Sequence, residues 1–308
     1  MDIGLFIGSI GSAGTLKGQI SQIIEAEKDG FDSFWAAHIM DLDVMTMMSM
    51  AAKETKRIKM GTAVTPTFLR HPIAMAQQAI TVQASAQGRF TLGMGVSHKP
   101  VVENRFGLEF KKPAKHMKEY LTIVNSLTTY GEVKHQGEIH TAFSEFTSME
   151  KPILPIVIAA LGDLMLKNAG ELADGTVTWM TGPETIRNHI VPKITKAAHD
   201  SDRTSPRVIV CLPVCVTEEK NIAFKEASKY FGRYAELPSY RAMITRENAE
   251  SAAELAVIGN EQEIEEKLRN YSDAGATEIA VQIFPDKLGN KESILRTRDA
   301  LKKLIGKI

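Results

Sequence analysis

The chain has 308 residues, with 37 basic and 37 acidic side chains, 44% hydrophobic and only 6% aromatic residues. Balanced charge without a polybasic, aromatic-interleaved run argues against a nucleic-acid partner, and no apolar run approaches the ~18 residues of a membrane span. With no charged leader ahead of the first apolar run, a cytoplasmic protein forming one domain over residues 1–308 is expected.

Apolar runs of strand length begin near Ile3, Ser33, Ile58, Phe90, Pro155, Gly175, Arg207 and Thr277, and most are followed by a stretch with helical apolar spacing. Eight such units in a chain of this length are the pattern of an α/β (β/α)8 barrel, the TIM barrel. Chemistry in that fold sits on the loops after the strand C-termini, which narrows the search to eight windows.

The first strand, 3–7, ends in a small-residue loop, 8–14. Helix 16–28 follows, with Ile20, Ile23 and Ile24 at helical spacing and Asp29-Gly30 as its stop. Strand 33–37 delivers His38 at its C-terminal end. Helix 44–54 carries Met45, Met47, Met48 and Met50, a stripe that suits either core packing or the apolar wall of a pocket. Strand 58–64 runs into Thr65-Pro66-Thr67, small and β-branched residues against which a flat ring could lie. His71, ahead of Pro72 in the first turn of helix 73–86, reads as a loop anchor.

Strand 90–95 leads to 96–112, long for a βα loop and therefore functional by expectation, with His98 three residues past the strand. After helix 113–129, residues 130–143 read as a hairpin around Gln136-Gly137. Strand 156–160 passes through Ala159, Ala160, Leu161 and Gly162 into helix 163–172. Strand 176–179 ends at Trp179, and Thr181-Gly182-Pro183 opens a helix to about residue 199. Backbone N–H groups at such helix starts favour anions, and barrels commonly hold phosphate there, although Asp163 opposes a close contact at the first of them.

Strand 207–216 holds Cys211 and Cys215, roughly 13 Å apart along an extended chain. That is too far for a disulfide, so two buried free thiols are expected. The helical stretch 218–255 is broken at Pro238. Ile258-Gly259-Asn260 then reads as a second insertion, with Asn260 capping helix 261–274. Strand 278–283 and helix 291–305 close a barrel whose insertions follow strands four and seven.

His38 and His98 face the mouth, where an imidazole can move a proton near pH 7 or simply be a satisfied structural group. His116, His135, His140, His189 and His199 fall on helices or the hairpin and are expected at the surface. No His-x-His follows the first strand, and no Gly-x-Ser-x-Gly elbow, P-loop or zincin motif occurs, so no metal site is expected.

Several segments together carry a family resemblance: Gly30-Phe31-Asp32-Ser33-Phe34-Trp35, the run from Arg57 to Thr67 with Arg70-His71-Pro72, and Gly88-Arg89-Phe90-Thr91-Leu92-Gly93-Met94-Gly95. Pro113 to Leu121, Ala173-Asp174-Gly175 and the closing run from Tyr271 to Thr277 add to it. On these the chain resembles the luciferase-like monooxygenase superfamily, and within it the branch that uses the deazaflavin coenzyme F-420.

The resemblance implies a flavin or deazaflavin lying across the barrel mouth. It implies a bulge in the third strand with a non-proline cis peptide, matched here by Ala63–Val64. Cofactor contacts would fall at Ala63, Val64 and Thr65, at Ala159, Ala160, Leu161 and Gly162, and at Trp179 and Thr181. The chain departs from hydroxyl-oxidising members in carrying Ala37-His38 where they carry Asp-His, and His98 where some place a Glu.

The expected activity is hydride transfer between coenzyme F-420 and a small organic substrate, with His38 as the first candidate acid/base and His98 the second. An FMN-dependent monooxygenase on the same barrel and a non-catalytic flavin-binding barrel are the alternatives. Relatives pair through helices near the second and third strands, so a homodimer is expected.

Overall fold

The computed structural model describes residues 1–8, 14–39, 42–147 and 153–308. Most of the small-residue loop expected after the first strand lies outside them. Eight parallel strands form a closed ring: β1 (Asp2–Ile7), β2 (Ser33–Ala36), β3 (Lys59–Thr62), β4 (Phe90–Gly95), β5 (Ile156–Ile158), β6 (Gly175–Trp179), β7 (Arg207–Val216) and β8 (Glu278–Ile283). Neighbours in the ring are neighbours in this order, and β8 returns to β1 through the pairs Asp2↔Glu278 to Leu5↔Val281. The architecture is the expected (β/α)8 barrel.

Strands buried on both faces read as continuous apolar runs rather than alternations. In β7 nine residues in a row after Arg207 are buried. Inward-facing Phe6, Trp35, Val157, Val177, Ile209, Cys211 and Ala280 fill the barrel. Their outward-facing neighbours, among them Leu5, Phe34, Leu92 and Val210, join the core beneath the helices.

At the N-terminal end of the ring, buried Glu278 accepts hydrogen bonds from Ser33 Oγ at 2.5 Å, Trp35 Nε1 at 2.5 Å and Arg207 Nη2 at 2.9 Å. Gly61 leaves room for the indole, since a Cβ there would sit 2.2 Å from the Trp35 ring.

The flanking helices begin where the sequence supplies caps. In α1 (Leu16–Lys28), α2 (Val44–Glu54) and α3 (Pro72–Ser85), the side chains of Thr15, Asp43 and His71 each accept a first-turn N–H. Then come α4 (Pro113–Thr129) and α5 (Asp163–Leu172). The expected hairpin pairs Glu132–Gln136 with Thr141–Glu145. Segment 96–112 contains a single π-turn, Val101–Arg105. After β7 the chain forms a helix, Lys220–Phe231, a turn, Gly232–Glu236, and a second helix, Pro238–Arg246. These pack around their own apolar cluster, with Phe231, Ile244, Ala252 and Phe284.

Three expectations are corrected. The third strand does not run unbroken over 58–64: it stops at Thr62 and resumes as Thr65–Pro66. The Met stripe is not a pocket wall, because Met45, Met47 and Met48 are wholly buried in the helix-side core while Met50 is exposed. Within the expected second insertion, Val257–Gly259 forms a strand that pairs in parallel with Val214–Val216 at the end of β7. His116 and His189 are buried, each 3% exposed, because the hairpin folds onto α4 and the π-turn Ile186–Ile190 packs against the end of β5. Asn260 caps the next helix with a full capping box, as its sequence suggests.

Candidate active site at the barrel mouth

The mouth is built around the interruption in β3. Gly61 pairs with Thr91 and Thr65 with Met94, so three residues of one strand oppose two of the other, which is a bulge. Thr62 bridges the gap with its side chain, donating to Gly93 O at 2.7 Å and accepting from Gly93 N–H at 2.9 Å. The Ala63–Val64 peptide is cis. The opposing strand has no side chains where the bulge leans on it: a Cβ on Gly93 would lie 1.7 Å from Thr62 O, and one on Gly95 2.5 Å from Val64 Cγ2. Thr67 then ties the resumed chain down, its N–H and Oγ1 both donating to Gly95 O at 2.9 and 3.3 Å.

Above this shelf lies a cavity of about 490 Å³. Seven of the expected site residues line it: His38, Ala63, Val64, His98, Ala159, Leu161 and Trp179. Thr65, Ala160 and Thr181 are buried and do not line it, and Gly162 is exposed at the start of α5. Sequence reasoning missed Phe6, Cys211, Arg105, Arg233, Tyr234 and Tyr240, which also form the wall. Arg105 comes from the π-turn after β4, and Arg233, Tyr234 and Tyr240 from the segment after β7, neither of which carries a motif. The one available signal was the aromatic density of that segment, where Tyr230, Phe231, Tyr234 and Tyr240 fall within eleven residues.

Both mouth histidines are held below the ordinary imidazole range. Burial is the main cause for each; at His38 the nearby Arg70 guanidinium lowers it further while the Asp43 carboxylate opposes. His38 Nδ1 lies 3.5 Å from the Val44 N–H and 3.9 Å from Asp43 Oδ2. The His98 ring packs 5.6 Å from Tyr240. At neutral pH the cavity therefore holds two uncharged imidazoles.

The two helix starts differ. Gly162 caps α5 with no side-chain hydrogen bond, and nothing lies within 4 Å of where its Cβ would be. Asp163 does not crowd that end, because its carboxylate pairs with Lys193 at 2.5 Å. His189 Nε2 lies 2.7 Å from Leu161 O and steadies the approach to α5. At Gly182, by contrast, the Glu247 carboxylate already accepts the Thr185 N–H at 2.5 Å and would meet a Gly182 Cβ at 2.2 Å. An anion contact at Thr181 would compete with the chain's own carboxylate, so the bare start of α5 is the site that suits a phosphate.

Comparison with known proteins agrees with this architecture. The chain is 27% identical over 298 residues to the 5,10-methylenetetrahydromethanopterin reductase of Archaeoglobus fulgidus, covering 85% of this chain and 89% of that protein. Among solved structures it resembles an F-420-dependent secondary alcohol dehydrogenase in complex with an F-420–acetone adduct, with a TM-score of 0.82 at 18% identity over 99% of this chain and 98% of that one. It also resembles the FMN-bound oxygenating constituent of 3,6-diketocamphane monooxygenase from Pseudomonas putida, with a TM-score of 0.76 at 16% identity over 99% and 97% of the two chains. The sequence model for luciferase-like monooxygenases matches residues 1–278, nearly the whole barrel including the bulged third strand and the bare helix start, and the chain belongs to that family.

Proposed function

We propose that this enzyme is an oxidoreductase that moves a hydride between coenzyme F-420 and a small organic substrate. The observation that carries the reading is the shelf: a bulge at Ala63–Val64 backed by Gly93 and Gly95, facing an apolar cavity with two neutral histidines.

The residues present fit a ring cofactor of this kind. Trp179 Nε1 and Thr178 Oγ1, both on the cavity wall, are buried without hydrogen-bond partners, as suits groups that meet a ligand's polar edge. The uncapped start of α5, adjoining Leu161, fits a phosphate. When bound, the deazaflavin supplies a two-electron hydride carrier. His38 stands at the C-terminal end of β2, placed to exchange the accompanying proton with the substrate oxygen. Phe6, Leu237 and Tyr240 add apolar surface to the cavity wall, which disfavours water there. The names of this chain's relatives support the reading, among them the archaeal reductase and an F-420-dependent glucose-6-phosphate dehydrogenase of Amycolatopsis mediterranei.

Titrating the purified protein separately with F-420 and FMN, followed by absorbance and fluorescence, tests the proposal. F-420 is expected to bind, and a bound-cofactor absorbance change is expected on adding secondary alcohols or their ketones. Tight FMN binding with substrate-dependent oxygen consumption would overturn it in favour of the monooxygenase. His38→Ala should cut turnover by roughly 10²–10⁴-fold with cofactor binding retained. A homodimer in a cytoplasmic setting belongs to the same reading. The groove between α2 and α3, lined by Ser49, Gln77, Gln78 and Thr81, is the face proposed for pairing, and a monomeric mass in solution would remove it.

A further inference from the structure

His38 follows Ala37 and so has no acidic residue directly before it, yet it is not without a carboxylate nearby. Asp43, five residues on, caps α2 and is held from three sides. Its Oδ1 accepts from the Thr46 N–H at 2.8 Å and from Gln78 Nε2 at 3.0 Å, and its Oδ2 is bonded by Arg70. The same Oδ2 stands 3.9 Å from His38 Nδ1.

Nδ1 thus has two neighbours of opposite character: the Val44 N–H, which donates to it at 3.5 Å, and the Asp43 carboxylate, which stands 3.9 Å away without a hydrogen bond to it. If Nδ1 is bare it accepts from Val44, and the single imidazole proton sits on Nε2. If Nδ1 carries the proton it faces Asp43, and Nε2 is left with a lone pair. The hydrogen bond at one ring nitrogen sets the state of the other. Only the second arrangement can take a proton from a substrate hydroxyl. The first offers an N–H to a carbonyl oxygen. The acid that returns a proton to a carbonyl oxygen is the imidazolium, which the second arrangement becomes once Nε2 is protonated.

We propose that Asp43 is the positioning residue of His38: its fixed negative charge, 3.9 Å from Nδ1, draws the imidazole proton to Nδ1 against the Val44 contact and so leaves Nε2 as the proton acceptor, with Arg70, Gln78 and the Thr46 N–H fixing the carboxylate. The inference rests on the reading of His38 as the proton-handling group. In the oxidising direction the substrate carbon gives its hydride, with both electrons, to the deazaflavin. The hydroxyl proton passes to Nε2, the C–O bond becomes C=O, and the imidazolium formed is matched by Asp43. Reduction reverses each transfer. Arg70 and Asp43 are the charged groups that bear on the ring from the loop after β3 and the start of α2, while Arg105, Arg233, Glu236 and His98 line the same cavity.

The test needs neither cofactor nor substrate. With ¹⁵N-labelled histidine, the His38 ring nitrogens report the tautomer, and a pH titration reports the midpoint. Asp43→Asn keeps the cap oxygen for Thr46 and Gln78 but removes the charge. It is expected to shift His38 toward the Nε2–H tautomer and move its midpoint to lower pH, while Asp43→Glu restores the wild-type tautomer in part. Arg70→Gln is expected to move the midpoint the opposite way, which keeps the test open should one variant fold poorly. In turnover, Asp43→Asn should lower kcat by roughly 10²-fold, with the acidic limb of the pH profile displaced downward and KM little changed. An unchanged tautomer and midpoint in Asp43→Asn would overturn the proposal even if the protein proves to be an F-420 enzyme. A shifted tautomer without F-420 turnover would instead sink the function and leave the Asp43–His38 link standing.

Discussion

His116 shows how much one side chain's surroundings decide. It lies in α4, stacked on Phe68 with ring centroids 4.2 Å apart, its Nε2 2.9 Å from Thr67 Oγ1 and its Nδ1 3.2 Å from His140 Nε2. Thr67 Oγ1 donates to Gly95 O, so it accepts from His116 Nε2–H, and Nδ1 is left as the acceptor for His140. A proton on Nδ1 would set N–H against N–H. Burial, with the nearby His140 adding to it and Glu119 opposing, holds the ring at about 4 against an ordinary 6.5. The folded chain therefore binds fewer protons than the unfolded chain between those values. Stability is complete above pH 6.5 and is lost as pH falls toward 4, by up to about 3 kcal/mol from this group. Urea melts at pH 7 and 4.5 check this: the difference between the two should shrink in His116→Gln. Nothing local in the sequence marks His116 as buried. Its depth comes from the hairpin, whose Ile139 and His140 N–H groups both bond Glu119 on the same helix face.

At the scale of the element, the decisive piece is the broken third strand. The pattern from Ile58 to Val64 reads as one strand because its residues are uniformly apolar or β-branched. The bulge becomes definite only against β4, where Gly93 and Gly95 let Thr62 and Val64 come close. A methyl group at Gly95 should displace Val64. Gly95→Ala is expected to cost about 1–3 kcal/mol of stability through overpacking and to weaken cofactor binding at least about tenfold; thermal melts and a cofactor titration measure the two separately. Helices were more legible. Their starts rest on local chemistry, as at Asn260, read as a cap from the sequence and found with a capping box; the cap at Asp43, which accepts the Thr46 N–H, went unread. The segment after β7 was legible only as helical and broken at Pro238, because its role depends on Tyr234 and Tyr240 reaching over a mouth built by distant strands.

For the whole molecule, closure depends on β1 meeting β8 across almost the full length of the chain. Glu278, Ser33, Trp35 and Arg207 join three strands at the end opposite the cavity, and the Arg207 guanidinium lies 5.9 Å from the Trp35 ring centroid. Removing the carboxylate alone leaves the Arg207 guanidinium without its anion and the Ser33 hydroxyl without its acceptor, the indole N–H keeping only Ser33 Oγ at 3.1 Å. Glu278→Ala should therefore destabilise by about 3–5 kcal/mol, read from chemical denaturation, while the cavity lined by Trp179 at the other end keeps its shape in the protein that remains folded.

The sequence by itself determined the eight strand-helix units, the caps, the free thiols and the windows where a site could lie, because propensity, periodicity and capping act within a few residues. Tertiary structure alone decided that the Met stripe is core, that His116 is deep, and that Glu247 fills one helix start while the other stays bare. It alone brought Asp43 within reach of His38, in a chain that lacks the acidic neighbour before it. Each of these depends on which surfaces meet across the barrel, and burial and electrostatic partnership arise only when they do.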